Sequence, residues 1–184
     1  MSFAKLDRRS FLGVGAASLI GFQRLSVAAE RDSSLIKTPR ALSFYNLHTS
    51  ERLNTTYWAE GQYVPDSLEG INRLFRDYRN GQVYKIDPQL LDTLHQLRLK
   101  LESSEPFELI SGYRSPATNS ALRNQGHGVA ENSLHTKGMA ADIRIPGRNL
   151  ILLRKAALSL KAGGVGYYPE SQFVHIDVGR VRSW

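Results

Sequence analysis

FVHIDVG, residues 173–179, and the end of SLHTKGMAADI, residues 133–143, are short segments in which side-chain character alternates from one residue to the next. Successive side chains of a β-strand point to opposite faces of the sheet. The first segment therefore predicts a strand with His175 and Asp177 on one face and apolar residues on the other. The second predicts a strand that directs Asp142 away from its apolar core face.

His135 precedes Asp142 by seven residues, so the two cannot share a metal ion on one straight helix. Seven residues at about 1.5 Å rise would separate them by about 10 Å, whereas ligand bonds are about 2 Å long. Gly138 can supply a bend that leaves His135 on a loop above the strand of Asp142. If the two strands are neighbours, both residues and His175 converge on a zinc ion with a fourth position open for water, as in catalytic zinc sites. Spacing alone also allows that these are ordinary polar surface residues.

The rest of the pattern predicts one α+β domain, with helices packed on a mainly antiparallel sheet. Strands are predicted at residues 40–46, 52–58, 107–111, 140–145, 165–168 and 173–178. Helices are predicted at residues 65–78, 87–101, 115–123 and 149–162. The sequence shows no repeats, no long linker and no sign of a second domain.

Residues 1–29 have the pattern of a twin-arginine export signal. Arg8 and Arg9 directly precede an apolar stretch, residues 11–22, that is too short for a membrane span of roughly 20 residues. Small residues before position 30 predict cleavage after Ala29. We expect the mature protein to be periplasmic, without a stable membrane anchor.

Cleavage would leave an extended lead-in at residues 30–39 and the folded domain at residues 40–184. Residues 1–29 hold four basic side chains and one acidic one, so their removal lowers the net charge from +7 to +4. This modest excess suits an anionic polymer such as peptidoglycan. No dense Lys/Arg run interleaved with aromatics suggests binding to nucleic acid. The absence of cysteine excludes a disulfide framework.

SLHTKGMAADI resembles the Ser-x-His-x-x-Gly-x-Ala-x-Asp signature of the D-alanyl-D-alanine carboxypeptidase-like zinc peptidases. Further segments extend the resemblance to the murein endopeptidase K group over nearly the whole mature chain. They are PRALSFYNLHTSE (39–51), LFRDYRNG (74–81), ELISGYRSPATNSALR (108–123) and RKAALSLKAGGVGYYPESQFVHIDVG (154–179).

The resemblance implies one zinc ion per chain, held by His135, Asp142 and His175, and an arginine, Arg114, that binds the substrate peptide. It also implies hydrolysis of peptidoglycan cross-links, either between two diaminopimelate residues or between D-alanine and diaminopimelate. A D,D- or L,D-carboxypeptidase and a non-catalytic, zinc-containing peptidoglycan-binding protein are the alternatives.

The general base is harder to assign, because many relatives place an acidic residue three positions before the last histidine and this chain has Gln172 there. Asp177 is the best substitute, since it shares a strand face with His175 about 6.6 Å away by strand rise. It could instead be an orienting or salt-bridged carboxylate. Glu131 and His127 are the reserve candidates.

Other polar residues have less defined roles. Arg114 follows a predicted strand and could bind a carboxylate or a carbonyl that becomes an oxyanion. Ser133 could orient a metal ligand or cap a turn. His48 and His95 are interpreted as structural. The glycines of residues 163–166 are expected to end a helix and to let a substrate or the following tyrosines approach the backbone.

Overall fold

The structure of the protein, a computed structural model, describes residues 38–126 and 129–184. The predicted export signal, most of the lead-in and His127 lie outside the described residues, so the domain boundaries remain predictions. Residues 38–184 form one compact unit. Within the described ranges, no helix is long and apolar enough to cross a membrane.

One mixed sheet organises the domain, and its strands run in the order β3-β2-β1-β4-β5-β7-β6-β8. Five of the seven neighbouring pairs are antiparallel, whereas β1 with β4 and β6 with β8 are parallel. The strands are β1 Arg40–Asn46, β2 Arg52–Ala59, β3 Gln62–Tyr63, β4 Phe107–Ser111, β5 Ala140–Arg144, β6 Gly164–Tyr168, β7 Phe173–Asp177 and β8 Arg182–Ser183.

In the part of the chain that the structure describes, four α-helices pack with this sheet, which confirms the predicted α+β class. They are α1 Pro65–Leu74, α2 Pro88–Lys100, α3 Pro116–Asn124 and α4 Leu150–Leu160. Proline opens the first three, where its missing N–H costs nothing. The side chains of Asp87, Ser115 and Asn149 cap the last three by accepting a backbone N–H.

The hydrophobic core lies between helices and one face of the sheet. Helix α2 contributes leucines at helical spacing, among them Leu90 and Leu94, and both are fully buried. The strands contribute alternate residues such as Ile143 and Val174, also fully buried. Each such side chain stabilises the fold by about 1.5–3 kcal/mol relative to exposure.

Strands β5 and β7 pair antiparallel near the middle of the sheet, which meets the condition that the predicted site required. Asp142 lies directly opposite His175 in this pairing. The neighbouring pair Ile143 and Val174 points to the core face. The same register therefore fixes both the core and the polar face.

Helix α1 ends at Leu74, four residues earlier than predicted, because the next segment turns to hold the loop after β4. Phe75 is fully buried and its carbonyl accepts the N–H of Tyr113 at 2.7 Å. The carboxylate of Asp77 accepts the N–H of Ser115 at 3.0 Å. These long-range bonds replace further helical turns. Strands β3 and β8 were not predicted.

Gly138 makes the bend that the sequence required between His135 and β5. It ends a 3₁₀ turn, Leu134–Lys137, in the left-handed conformation with φ +68°. A Cβ at this position would overlap the carbonyl oxygen of Lys85, and the Gly138 carbonyl accepts the N–H of Asp87 at 2.9 Å. Only glycine fits both the angle and the space.

Gly138→Ala should lower the free energy of unfolding by more than about 3 kcal/mol, because left-handed strain of about 1–2 kcal/mol adds to a backbone collision. Gly147 is the matched control, since it has the same φ of +68° and nothing within 4 Å of a Cβ. Gly147→Ala should cost only the strain. Urea unfolding of both variants checks the difference, and equal losses would contradict the close contact at Gly138.

Candidate metal centre

Three predicted ligands come together on the face of the sheet opposite the core. His135 belongs to the 3₁₀ turn, Asp142 to β5 and His175 to β7, and all three are buried. One ligand atom from each lies within 4.8 Å of the others. His135 Nε2 is 3.1 Å from His175 Nδ1 and 3.3 Å from Asp142 Oδ1, and the last two atoms are 2.8 Å apart.

The ring of His135 is oriented by the loop that follows β4. Its Nδ1 lies 2.7 Å from the carbonyl oxygen of Gly112. A carbonyl can only accept, so the proton is on Nδ1 and the Nε2 lone pair faces Asp142 and His175. The His135 carbonyl in turn accepts the N–H of Arg114 at 3.2 Å. The loop thus selects the tautomer that can bind a metal ion.

The ring of His175 is oriented by Asp177, whose Oδ2 lies 3.1 Å from Nε2. This leaves Nδ1 directed towards Asp142 as the ligand atom. A histidine whose second nitrogen donates to a carboxylate is the usual arrangement at protein metal sites. Both histidines therefore present one nitrogen to the same point.

Asp177 is almost completely buried and its two oxygens meet five donor groups. Oδ1 accepts from the N–H groups of Gly164 and Gly179 at 2.9 and 2.8 Å and from Arg182 Nη1 at 3.0 Å. Oδ2 accepts from Arg182 Nη2 at 2.6 Å in addition to His175. Asp177 shares a face with His175 as predicted, but its carboxylate lies on the side of that ring away from the ligand nitrogen.

These contacts set the ionisation of the site. Burial alone would raise the pKa of Asp177, yet the hydrogen bonds from His175, from Arg182 and from two backbone N–H groups hold that pKa well below its usual range. Burial likewise opposes ionisation of Asp142, and the two histidines outweigh it and lower its pKa. Burial lowers the pKa of His175, but its hydrogen bonds to both carboxylates raise it overall. Both carboxylates are therefore ionised at neutral pH.

A cavity of about 310 Å³ opens over the three ligands. Its wall combines charged, aromatic and small apolar side chains: Arg114, Val129, Ala130, Asn132, Ser133, Leu134, His135, Asp142, Tyr168, Phe173, His175, Arg182 and Trp184. Asp142 is the single carboxylate among these described lining residues. Substrate can reach the ligands from this side.

Arg114 lies at the wall of this cavity, with a side chain that is 11% exposed. Its Nη2 is 4.0 Å from Asp142 Oδ2, and its Nη1 donates to Asn119 Oδ1 at 3.4 Å. Burial lowers the pKa of Arg114, against the opposing charge of Asp142. Its Nε lacks a hydrogen-bond partner within the described part of the chain. A guanidinium at the wall of a cavity can bind a negatively charged or carbonyl oxygen.

Among the described residues, Glu131 does not belong to the ligand cluster, and Gln172 does not point to it. Gln172 is exposed, and its side-chain amide donates to the carbonyl of Pro169. Glu131 is exposed and lies 3.4 Å from Arg123. His127 lies outside the described residues.

Three further predicted residues have local roles. Ser133 is buried at the cavity wall, but its hydroxyl makes no capping bond to the 3₁₀ turn. His48 stacks on Tyr78 with ring centroids 3.7 Å apart. His95 lies 6.2 Å from the ring of Tyr57. Neither of the last two histidines belongs to the ligand cluster.

Sequence reasoning missed Arg182 and Trp184, which β8 brings to the site. The glycines of residues 163–166 were expected to admit a substrate or tyrosines. Helix α4 ends before them, and a Cβ at Gly164 or Gly166 would instead meet the side chains of Arg182 and Trp184. The cluster of glycines was a signal of close approach, but nothing in the sequence identified the residues that approach.

Two histidines and an aspartate on the wall of an open cavity are the arrangement of a metal-dependent hydrolase. Comparison with known proteins agrees. A family model described as "Peptidoglycan L,D-endopeptidase MepK" matches residues 34–184. Proteins of that name from Escherichia coli (strain K12) and Shigella flexneri are each 46% identical over 178 residues, which are 97% of this chain and 97% of each relative.

A "Probable peptidoglycan L,D-endopeptidase MepK" from Haemophilus influenzae is 40% identical over 188 residues, which cover 100% of this chain and 98% of that protein. The chain therefore belongs to the MepK group of the D-alanyl-D-alanine carboxypeptidase-like peptidases, and it is a peptidase. The resemblance seen in the motifs is confirmed.

If the three ligands hold a metal ion, His135→Ala should remove most of it, because a site with three protein ligands tolerates the loss of one poorly. His48→Ala is the matched control, since it deletes the same ring from its stack on Tyr78. Elemental analysis of both purified variants checks this. Equal metal content in the two variants would contradict the assignment.

Proposed function

We propose that the protein is a zinc-dependent murein endopeptidase that hydrolyses peptide cross-links of peptidoglycan. The observation that carries the proposal is the convergence of His135, Asp142 and His175 at the wall of an open cavity. Membership of a family described as peptidoglycan L,D-endopeptidase supports the substrate class.

Zinc is favoured by the donor set and by its dimensions. Two imidazole nitrogens and one carboxylate oxygen are common ligands of zinc, with bonds of about 2.0–2.2 Å. Donors arranged tetrahedrally at that distance are roughly 3.3 Å apart. The separations of 3.1, 2.8 and 3.3 Å between the three ligand atoms fit such a site. When bound, zinc would polarise the scissile carbonyl and lower the pKa of a coordinated water molecule.

Arg114 would position the substrate peptide. Its guanidinium already compensates Asp142 in part, and at the cavity wall it can donate to a carboxylate of the stem peptide or to the carbonyl under attack. Such a preformed donor stabilises negative charge without reorganisation during the reaction.

Asp177 would act as a positioning residue for His175 rather than as the general base. Its five donors and its lowered pKa make it a weak proton acceptor at neutral pH. Arg182 neutralises it and keeps it ionised, and the ionised carboxylate holds the Nε2–H of His175. We offer this role in place of the one predicted from strand periodicity.

The action on peptidoglycan requires the enzyme to lie outside the cytoplasm. Export through the twin-arginine pathway, with Arg8 and Arg9 in the signal, would deliver it to the periplasm. We propose this route on the sequence pattern alone.

Digestion of purified muropeptide dimers tests the function. The zinc-loaded protein should split dimers joined through two diaminopimelate residues into monomers, as mass analysis would detect. His135→Ala should reduce the rate by at least about a hundredfold, and His48→Ala should leave it within about twofold. Release of a single terminal amino acid would indicate a carboxypeptidase instead. Zinc binding without any hydrolysis would indicate a non-catalytic wall-binding protein.

Asp177→Asn separates the two possible roles of this residue. The amide nitrogen cannot accept a hydrogen bond, so at least two of the five converging donors lose their acceptor and His175 is held less firmly. We expect zinc affinity to fall roughly 10- to 100-fold, as for other residues that orient metal ligands. Chelator competition measures the affinity, and circular dichroism verifies the fold.

Glu131→Gln is the matched control, because Glu131 is exposed and its ion pair is with Arg123. This substitution should change neither zinc affinity nor hydrolysis. Unchanged zinc affinity in Asp177→Asn, together with lost hydrolysis, would show that Asp177 is the base after all.

A further inference from the structure

The indole of Trp184 is an ordered aromatic surface at the edge of the cavity. The residue is 47% exposed, yet its ring is fixed on several sides. Its Nε1 donates to the hydroxyl of Tyr168 at 2.8 Å, and the guanidinium of Arg182 lies 4.9 Å from the ring centroid. The ring of His175 is 5.3 Å away. An exposed but immobilised ring loses little entropy when a ligand covers it.

Strand β6 leaves room for the indole because the residue beneath the ring, Gly166, has no side chain. Gly166 pairs with His175 across the strands, and a Cβ at Gly166 would meet three atoms of the indole of Trp184 at 2.7–2.8 Å. Any other residue at this position would push the indole away from the metal ligands. The hydroxyl of Tyr168 satisfies the indole N–H, so the surface that the ring presents to the cavity is apolar.

The order of the strands places unlike groups at the two ends of the cavity. Arg114 follows β4 on one side of the ligand strands β5 and β7, and Trp184 follows β8 on the other. Tyr168 and Phe173 stack at 4.5 Å and extend the aromatic end. The metal ligands therefore lie between Arg114 and an aromatic group, in which the guanidinium of Arg182, paired with Asp177, contacts the ring of Trp184.

We propose that Trp184, Tyr168 and Phe173 form a subsite for the hydrocarbon segment of a diamino acid side chain at the cross-link. This inference rests on the proposed function. Diaminopimelate joins its two amino-acid centres by a short run of methylene groups, which can pack on an apolar ring while a free carboxylate stays solvated or reaches Arg114. Trp184 would then determine specificity and leave metal binding to other residues.

Steady-state hydrolysis of a dimer joined through two diaminopimelate residues tests the subsite. Trp184→Ala in the zinc-loaded protein should raise KM about fivefold or more, with kcat and zinc content within about twofold of the wild type, because the ring contributes binding and not chemistry. Trp184→Phe should restore most of the affinity. Trp58→Phe is the matched control, since Trp58 lies on β2, towards the other end of the sheet, and should change nothing.

Fluorescence gives a second readout, since the chain contains only two tryptophans. In Trp58→Phe, rapid mixing with the dimer should change the emission of Trp184 before hydrolysis. An unchanged KM in Trp184→Ala, or loss of zinc in that variant, would overturn the subsite. If the wild-type protein hydrolyses no dimer, the proposed function fails, and the emission change alone then supports the subsite or, if absent, overturns it.

Discussion

The pairing of β5 with β7 is the constraint on which the site depends. It sets Asp142 across from His175 and, in the same register, places Ile143 and Val174 in the core. A slip of one residue would turn every side chain of a strand to the opposite face. Such a slip would bury the ligands among leucines and expose the core residues. The free energy of apolar packing therefore holds the ligand geometry in place.

Burial of charge is the second organising factor. Asp142 and Asp177 are both almost fully enclosed, and an unpaired buried carboxylate would cost several kcal/mol. Each carboxylate has a cation of its own nearby: Arg182 contacts Asp177 directly, and Arg114 lies 4.0 Å from Asp142. The longer separation at Asp142 leaves it partly uncompensated, which suits a group that is to bind a metal ion. The two carboxylates thus differ in pairing, which fits the different roles that we propose for them.

The sequence was sufficient for the features that depend on local periodicity. Alternation predicted which face of β5 and β7 each residue occupies, and proline and capping residues predicted where the helices begin. It failed where a long-range contact overrides the local pattern. Helix α1 stops at Leu74 because the carbonyl of Phe75 bonds to a distant loop. Strand periodicity likewise gave the face of Asp177 but not its partners, since Arg182 belongs to a strand of only two residues that has no detectable alternation.

The cleft-facing side of β6 consists of Gly164 and Gly166 before it reaches Tyr168, because the intervening residues point to the core. A strand surface made of glycine has no side chains to vary. Over evolutionary time, the part of the cavity above these two glycines can change character through residues that reach across it from elsewhere, of which Trp184 is one. Variation above the glycines should then fall on the segment after the last histidine of the ligand set, while the glycines beneath stay the same.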